Sequence, residues 1–162
     1  EVRMTTFSIL MARIKGDSPK SYLNKDAACV IDANLATLWA DGGLDKHAVL
    51  ALLNSAWTAA VLEHSAAVMG GGALKVEAAH LRRLPVPQMD ATDVSRLSGL
   101  GKRLVRAKTA KTIGCLLEEI DAVTTSAALA SPENSLSRPA MIFSRVDLPE
   151  PLTPTTPILA SL

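Results

Sequence analysis

The feature that most constrains the fold is a helical apolar repeat, which runs from Lys46 to Val68 and stops at three consecutive glycines. Its apolar members recur at three- and four-residue intervals: Val49, Leu50, Leu53, Trp57, Val61, Leu62 and Met69. That spacing lines one face of a helix, with Trp57 in the core. Asp45 is a favourable N-cap, and glycine enters the left-handed backbone of a helix end without a Cβ clash. The pattern predicts one long helix over 46–68, followed by a turn at Gly70–Gly72.

Shorter extended and helical segments surround this repeat. Residues 2–16 carry β-branched and aromatic side chains, which favour a strand. Residues 27–39 also read as extended, although their alanines are equally compatible with a helix. Residues 73–76 form a short strand candidate. Residues 77–84 predict one or two helical turns before a Pro-Val-Pro segment, which fixes an extended exit.

Two further helices are predicted in the second half of the chain. Asp90 or Thr92 caps the first, which runs to about Ala107. The second spans about 112–129, with an apolar face formed by Ile113, Leu116, Leu117, Ile120 and Val123. The predicted class is α+β: a small β-containing N-terminal part, a long central helix, a glycine turn and C-terminal helices. Six of the nine prolines lie in 132–162, so residues 131–162 are expected to form an extended or disordered tail.

Several functional classes find no support in the sequence. No apolar run of the 162 residues approaches the roughly 20 that span a bilayer, and no signal-peptide pattern is present, so we expect a cytoplasmic protein without membrane contact. Cys29 and Cys115 are expected to be small core residues. The three histidines lack metal-ligand spacing, and no phosphate-binding or dinucleotide fingerprint occurs. We therefore predict no catalytic, cofactor-binding or metal site in this chain.

The charges are distributed unevenly. Residues 1–111 hold 15 basic and 10 acidic residues, whereas residues 112–162 hold two and six. Between Arg96 and Lys111 there are six basic residues and no acidic one. Such a run is typical either of a solvated helix face or of a surface that meets a polyanion, and the sequence leaves both open.

One segment resembles a known family. Leu52-Leu53-Asn54-Ser55 is followed by a helix, by Met69-Gly70-Gly71-Gly72, by Leu74-Lys75 and by His80-Leu81-Arg82-Arg83-Leu84-Pro85-Val86-Pro87. This order resembles the C-terminal target-recognition region of adenine-specific (N6) DNA methyltransferases of restriction-modification and phage-defence systems. The likeness covers about residues 1–129, but only 52–87 is specific. The chain departs at His80, where the family often has an acidic residue, and in its tail.

The resemblance implies a two-part protein. In that family a Rossmann-like domain binds S-adenosylmethionine and uses an Asn/Asp-Pro-Pro-Tyr/Phe motif on a flipped adenine. This chain contains no Asn-Pro or Asp-Pro pair. We therefore expect the catalytic domain and the cofactor to lie upstream, because the sequence begins at Glu1 as if in the middle of a sheet. The implied partners are double-stranded DNA, the upstream methyltransferase domain and, as further candidates, restriction subunits.

The resemblance also implies a division of the chain. Residues 1–89 would be the C-terminal part of a DNA target-recognition domain, residues 90–130 a helical segment, and residues 131–162 the proline-rich tail. Alternatives are a DNA-specificity subunit without catalysis of its own, and a helical protein-interaction module.

Six residues are the candidate DNA contacts: Gly70, Gly71, Gly72, Lys75, Arg82 and Arg83. A glycine turn without side chains lets a phosphate backbone approach its amides. The three cations could contact phosphates or guanine edges. The alternatives are a helix cap for the glycines and surface solubility for the cations. For Asn54 we expect a structural hydrogen bond to a neighbouring loop rather than a DNA contact.

Overall fold

The computed structural model describes residues 9–15, 20–24, 34–39 and 45–130. The predicted segments 2–8, 27–33 and 131–162, together with Cys29, lie outside the described residues. Within them the protein is α+β, as the sequence predicts, with antiparallel strands at the N-terminal end and five α-helices. None of the helices in these ranges is both long and apolar enough to cross a bilayer.

The N-terminal strands form a three-stranded antiparallel sheet. Strand β1 (Ile9–Ala12) lies between β3 (Ser21–Leu23) and β4 (Leu35–Leu38). Leu10 is paired with Tyr22 on one side and with Thr37 on the other. Ile9 and Met11 are fully buried and alternate with half-buried neighbours, so one face of the sheet packs on the core. Residues 35–38, which the sequence left ambiguous, are a strand.

A second antiparallel sheet is built from three very short strands. Strand β6 (Leu74–Lys75) lies between β2 (Ile14–Lys15) and β5 (Ala67–Val68). Arg13 connects the two sheets, since its backbone N–H donates to Asn34 O (2.8 Å) and its carbonyl accepts from Val76 N (2.7 Å). Arg13 thereby joins the N-terminal sheet to the second sheet, in which β2 continues the contact by pairing with β6.

The prediction of a single helix over 46–68 is wrong. The chain forms α1 (Lys46–Leu53) and α2 (Ala56–Ser65), separated at Asn54 and Ser55, and residues 67–68 are strand β5. Ser55 Oγ donates to Leu52 O (2.6 Å) and accepts from Thr58 N (3.3 Å), so one hydroxyl satisfies groups of both helix ends. The apolar period continues across the break, which is why the pattern alone does not reveal it.

Helix α1 is the centre of the described fold. Six consecutive residues, 48–53, are buried, as expected of a helix covered on all sides. Its large side chains, among them Leu52 and Leu53, join the core cluster under the N-terminal sheet. Its alanines, Ala48 and Ala51, belong to a second cluster with the C-terminal helices. Small side chains on that side let the neighbouring helix approach closely.

Three helices complete the chain. Helix α3 (Ala78–Arg82) is one short turn, as predicted for residues 77–84. Helix α4 (Ala91–Arg106) begins at the predicted N-cap, where Asp90 Oδ1 accepts from Asp93 N (2.8 Å). Helix α5 (Ala110–Ala130) buries Leu116, Ile120 and Val123 of its predicted apolar face. Helix α4 packs extensively on α1, across the boundary predicted at residues 89 and 90, and that boundary stays a prediction.

One prediction about the core is also wrong. Cys115, expected to be a small core residue, is exposed on α5. Its neighbour Leu116 is buried instead, because the inward face of α5 follows Leu116, Ile120 and Val123 at three- and four-residue spacing.

Candidate nucleic-acid interface

The glycine triplet forms the tip of the β5–β6 hairpin. Helix α2 ends at Ser65, so the glycines do not cap it, contrary to the expectation from sequence. Gly70–Gly72 is a single 3-10 turn, closed by hydrogen bonds from Met69 N to Ala73 O (2.7 Å) and from Gly72 N to Met69 O (3.2 Å). Gly72 has φ +80°, the left-handed conformation that favours glycine. The turn is solvent-exposed at Gly70 and Gly72.

The turn has room for another molecule. A Cβ placed on Gly70 would meet nothing within 4 Å, so packing within the described residues does not require glycine there. The Gly72 N–H already donates to Met69 O. An anion at the turn would therefore meet the other backbone N–H groups. Met69 and Val68 beside the turn are 41% and 73% exposed, which makes the hairpin tip apolar rather than charged.

Lys75 lies in β6, the central strand of the second sheet, between Ile14 and Ala67. Its Nζ is 2.9 Å from Glu77 Oε1, and both side chains are nearly half exposed. The hydrogen bond from Lys75, and then its positive charge, lower the pKa of Glu77. Lys75 therefore carries a locally compensated charge, which a phosphate would have to share with the Glu77 carboxylate.

Arg82 and Arg83 stand at the end of α3, where both side chains are exposed. Arg82 is the last helical residue, and Arg83 N donates to His80 O (3.2 Å). His80 has a structural function at the other end of this helix, since the Glu77 backbone N–H donates to its Nδ1 (3.0 Å). An imidazole thus occupies the N3 position that a Glu or Gln side chain fills in a capping box.

These candidate residues lie on three consecutive elements, and one contact connects two of them. The turn leads into β6, and Lys75 contacts Glu77, the N-cap of α3. The two arginines follow at the far end of this five-residue helix, about 7 Å along its axis. A common face for the turn, Lys75 and the two arginines stays a prediction.

The basic stretch 96–111 covers the exposed side of α4 and the start of α5. Two of its cations are paired: Lys102 Nζ lies 3.6 Å from Asp45 Oδ2, and Arg103 donates to both oxygens of Glu119 (2.9 and 3.2 Å). The other four are exposed, and no ion pair of theirs occurs within the described ranges: Arg96, Arg106, Lys108 and Lys111.

Asp45 is the most strongly perturbed carboxylate described. It caps α1 by accepting from His47 N (2.9 Å), and it also binds His47 Nδ1 (2.9 Å) and the Ser98 hydroxyl of α4. Partial burial raises its pKa, but the hydrogen bonds from Ser98 and from the backbone and side chain of His47 outweigh this effect, so the pKa of Asp45 lies far below its usual range.

This Ser-His-Asp group does not have the geometry of a nucleophile and its base. Ser98 and His47 both contact the carboxylate of Asp45 and not each other, so His47 is not placed as a base for Ser98. The carboxylate that accepts from the Ser98 hydroxyl is a weak base, because the pKa of Asp45 is lowered. The group connects the start of α1 to the middle of α4. Across the described ranges there is also no cluster of three His, Cys, Asp or Glu side chains that could hold a metal ion.

A cavity of about 250 Å³ opens between the start of α4 and the end of α5. Its two carboxylates are those of Asp90 and Asp93, and Asp90 is engaged in capping α4. The remaining lining combines the polar side chains of Gln88 and Ser126 with Met89, Ala127 and Ala130. It contains no histidine, cysteine or cation beside the two carboxylates, so no nucleophile is paired with a base there.

One polar contact of the core helices is not apparent from sequence, and one expected contact is present. Asp121, which reads as part of the solvated side of α5, accepts from Ala56 N (2.7 Å) at the start of α2. Asn54 fulfils the expected structural role through Ser21 and Leu50. Only the helix-breaking tendency of Asn54-Ser55 is a signal of this site in the sequence.

Comparison with protein-family models, curated proteins and solved structures found no match.

Proposed function

We propose that this chain is the C-terminal part of the DNA-recognition region of a SAM-dependent adenine-N6 DNA methyltransferase. The catalytic domain and the S-adenosylmethionine site would lie in a preceding part of the protein. The proposal starts from the order of motifs in residues 52–87, which resembles that family, and the structure adds one observation to it.

The observation concerns how the motif divides between core and surface. Its apolar residues are buried in one cluster: Leu52, Leu53, Leu81, Leu84 and Val86. Its glycines Gly70 and Gly72 and its arginines Arg82 and Arg83 are exposed. Burial in the core explains the apolar half of the motif. In the exposed half, the φ of +80° explains glycine at position 72, whereas packing does not require glycine at Gly70. Exposed glycines and arginines, here about ten residues apart in sequence, are residue types suited to phosphate and guanine contacts.

Sequence-selective binding is the property that tests this proposal. The full chain is incubated with DNA duplexes that carry a randomised central segment, and the bound fraction is sequenced. We expect enrichment of a short motif. Arg82→Ala/Arg83→Ala should weaken binding, and loss of a base-reading arginine should cost about 1–3 kcal/mol and relax selectivity at one position. Bound duplexes without any enriched motif would contradict target recognition.

Methyl transfer separates the proposal from its nearest alternative. Purified residues 1–162 should transfer no methyl group from S-adenosylmethionine to adenine, and detectable transfer would contradict the division of labour proposed here. A DNA-specificity subunit without catalysis would bind DNA in the same way. The two differ in the whole protein, because a methyltransferase would carry an Asn/Asp-Pro-Pro-Tyr/Phe motif and a specificity subunit would not.

A further inference from the structure

Helix α4 contains two glycines with opposite environments. Gly101 is buried against α1, and a Cβ there would lie 2.0 Å from the backbone oxygen of His47, so the close contact between the two helices requires glycine. Gly99 is exposed, and a Cβ there would meet nothing within 4 Å. Glycine inside a helix is unfavourable relative to alanine. Packing within the described residues gives no reason for this cost at Gly99.

The positions three and four residues away from Gly99 hold Ser95, Arg96, Lys102 and Arg103, so three of its four neighbours on the helix surface are cations. Arg96 precedes it by three residues, and Arg103 and Arg106 follow it by four and seven, which places them around Gly99 on one side of α4. All three side chains are exposed. We call this set, Arg96, Gly99, Arg103 and Arg106, the α4 outer face. It extends for about 15 Å along the helix axis.

The charge of this face is only partly compensated. Arg103 shares its guanidinium with Glu119, yet the Arg103 side chain is 60% exposed. Arg96 and Arg106 have no ion-pair partner in the described part of the chain. Lys108 continues the positive charge beyond the end of the helix, and it is exposed as well. The face therefore combines positive charge with a central position at which the helix backbone is uncovered.

We propose that the α4 outer face binds the phosphate backbone of a DNA duplex, with its arginines on the phosphates and with Gly99 allowing one strand to lie against the helix. The identity of the polyanion rests on the function proposed above. The surface itself is additional, because none of its residues belongs to the motif in 52–87. Contacts of this kind position a protein on the duplex without reading its sequence.

The structure favours nucleic acid over an anionic membrane as the occupant. A helix that lies in a membrane interface needs an apolar face that enters the lipid. In α4 that face is already buried in the protein, since Leu97 and Leu100 pack in the cluster with α1 and α5. The exposed side offers charge and a glycine but no large apolar side chain.

Salt-dependent binding of the full chain to a 20-base-pair duplex of random sequence tests the proposal. Arg96→Gln/Arg106→Gln removes two cations of the face. Lys20→Gln/Lys46→Gln is the matched control, because it removes two exposed cations elsewhere. Each neutralised phosphate contributes about 0.9 to the slope of log affinity against log salt. We expect the arginine variant to lose close to two units of slope and the control to lose little. Equal losses in the two variants would overturn the proposal.

Gly99→Ala provides a second readout with the opposite sign. The added methyl group should raise the melting temperature, because it improves helix propensity in open space, and should lower duplex affinity several-fold by blocking close approach. Gly114→Ala is its control, since a Cβ at Gly114 also meets nothing within 4 Å. It should raise the melting temperature and leave affinity unchanged. An unchanged duplex affinity of Gly99→Ala would contradict the proposed close approach of a DNA strand at Gly99.

The outcomes distinguish the two proposals. If the wild-type chain binds duplexes and Arg82→Ala/Arg83→Ala weakens binding while the α4 variants do not, only the inference about α4 fails. If the wild-type chain binds no duplex, both fail. Vesicles containing phosphatidylserine serve as the remaining probe: binding to them that depends on Arg96 and Arg106, without duplex binding, would assign the face to a membrane and overturn the proposal.

Discussion

The side chain of Asn54 pairs with both backbone groups of Ser21. Its Oδ1 accepts from Ser21 N (3.0 Å) and its Nδ2 donates to Ser21 O (3.1 Å), as a neighbouring strand would. The same Nδ2 donates to Leu50 O (2.9 Å) in the last turn of α1. One amide thus continues the hydrogen bonding of strand β3 and closes the end of a helix, in a place where the helical repeat is interrupted.

Replacing Asn54 should therefore destabilise the protein. Asn54→Ala leaves Ser21 N and Ser21 O without these partners in a half-buried site, and we expect a loss of about 1–3 kcal/mol in the free energy of unfolding, measured by urea titration. Asn54→Asp should not rescue it, because a carboxylate accepts from Ser21 N but cannot donate to Ser21 O. Wild-type stability in the alanine variant would show that water replaces the amide without cost.

The two glycines of α4 predict opposite effects of the same substitution. Gly101→Ala should destabilise the protein by about 1–3 kcal/mol, because its Cβ would overlap the His47 carbonyl and force α1 and α4 apart. Gly99→Ala should stabilise it by about 0.5–1 kcal/mol. Thermal and urea unfolding of both variants measure the difference. Similar changes in the two would contradict the close contact between the helices.

Asp45 predicts a particular dependence of stability on pH. An unfolded aspartate has a pKa of about 3.9, and the pKa of Asp45 in the folded protein is lower. The carboxylate therefore contributes stability that is present above about pH 3.9 and is lost as the pH falls toward the folded pKa. Asp45→Asn keeps a side chain that can cap α1 and removes the charge. The difference in unfolding free energy between wild type and variant should narrow as the pH is lowered from about 5.5 toward 3. A difference independent of pH would contradict the predicted effect.

The contact between Asp121 of α5 and Ala56 should stabilise the start of α2. Its carboxylate accepts from Ala56 N, where a negative charge is favoured by the helix dipole. Asp121→Ala should cost about 0.5–2 kcal/mol, the range for loss of an N-cap. Glu118→Ala, one turn earlier on the exposed side of α5, is the matched control and should change stability by less than about 0.5 kcal/mol. Equal effects would indicate that only helix charge matters.

The sequence predicts the class of the fold well, because local signals define it. Asp45, Asp90 and the apolar face of α5 are found where capping and periodicity place them. The apolar spacing does not reveal the break at Asn54-Ser55, because it continues through these two residues. The sequence predicts the end of a helix where the structure has a hairpin turn, because glycine is favourable in both.

The candidate site is less accessible to such reasoning. Nothing in the sequence distinguishes Lys75, Lys102 and Arg103 from the other cations. Only the tertiary structure shows that each has a carboxylate beside it. In the same way Gly99 and Gly101 differ by two positions, and nothing in their neighbours indicates which one a second helix touches. Pairing and close approach depend on residues distant in the sequence.

The three-stranded arrangement of β2, β6 and β5 has a consequence for how the chain folds. A hairpin with two paired residues in each strand has little stability by itself, and its third strand, β2, precedes α1 and α2 in the sequence. Contacts between such distant segments form late, after the intervening helices bring them together. The glycine turn should therefore be among the last parts of the molecule to acquire its native geometry and the first to lose it, and amide exchange there should be faster than in α1.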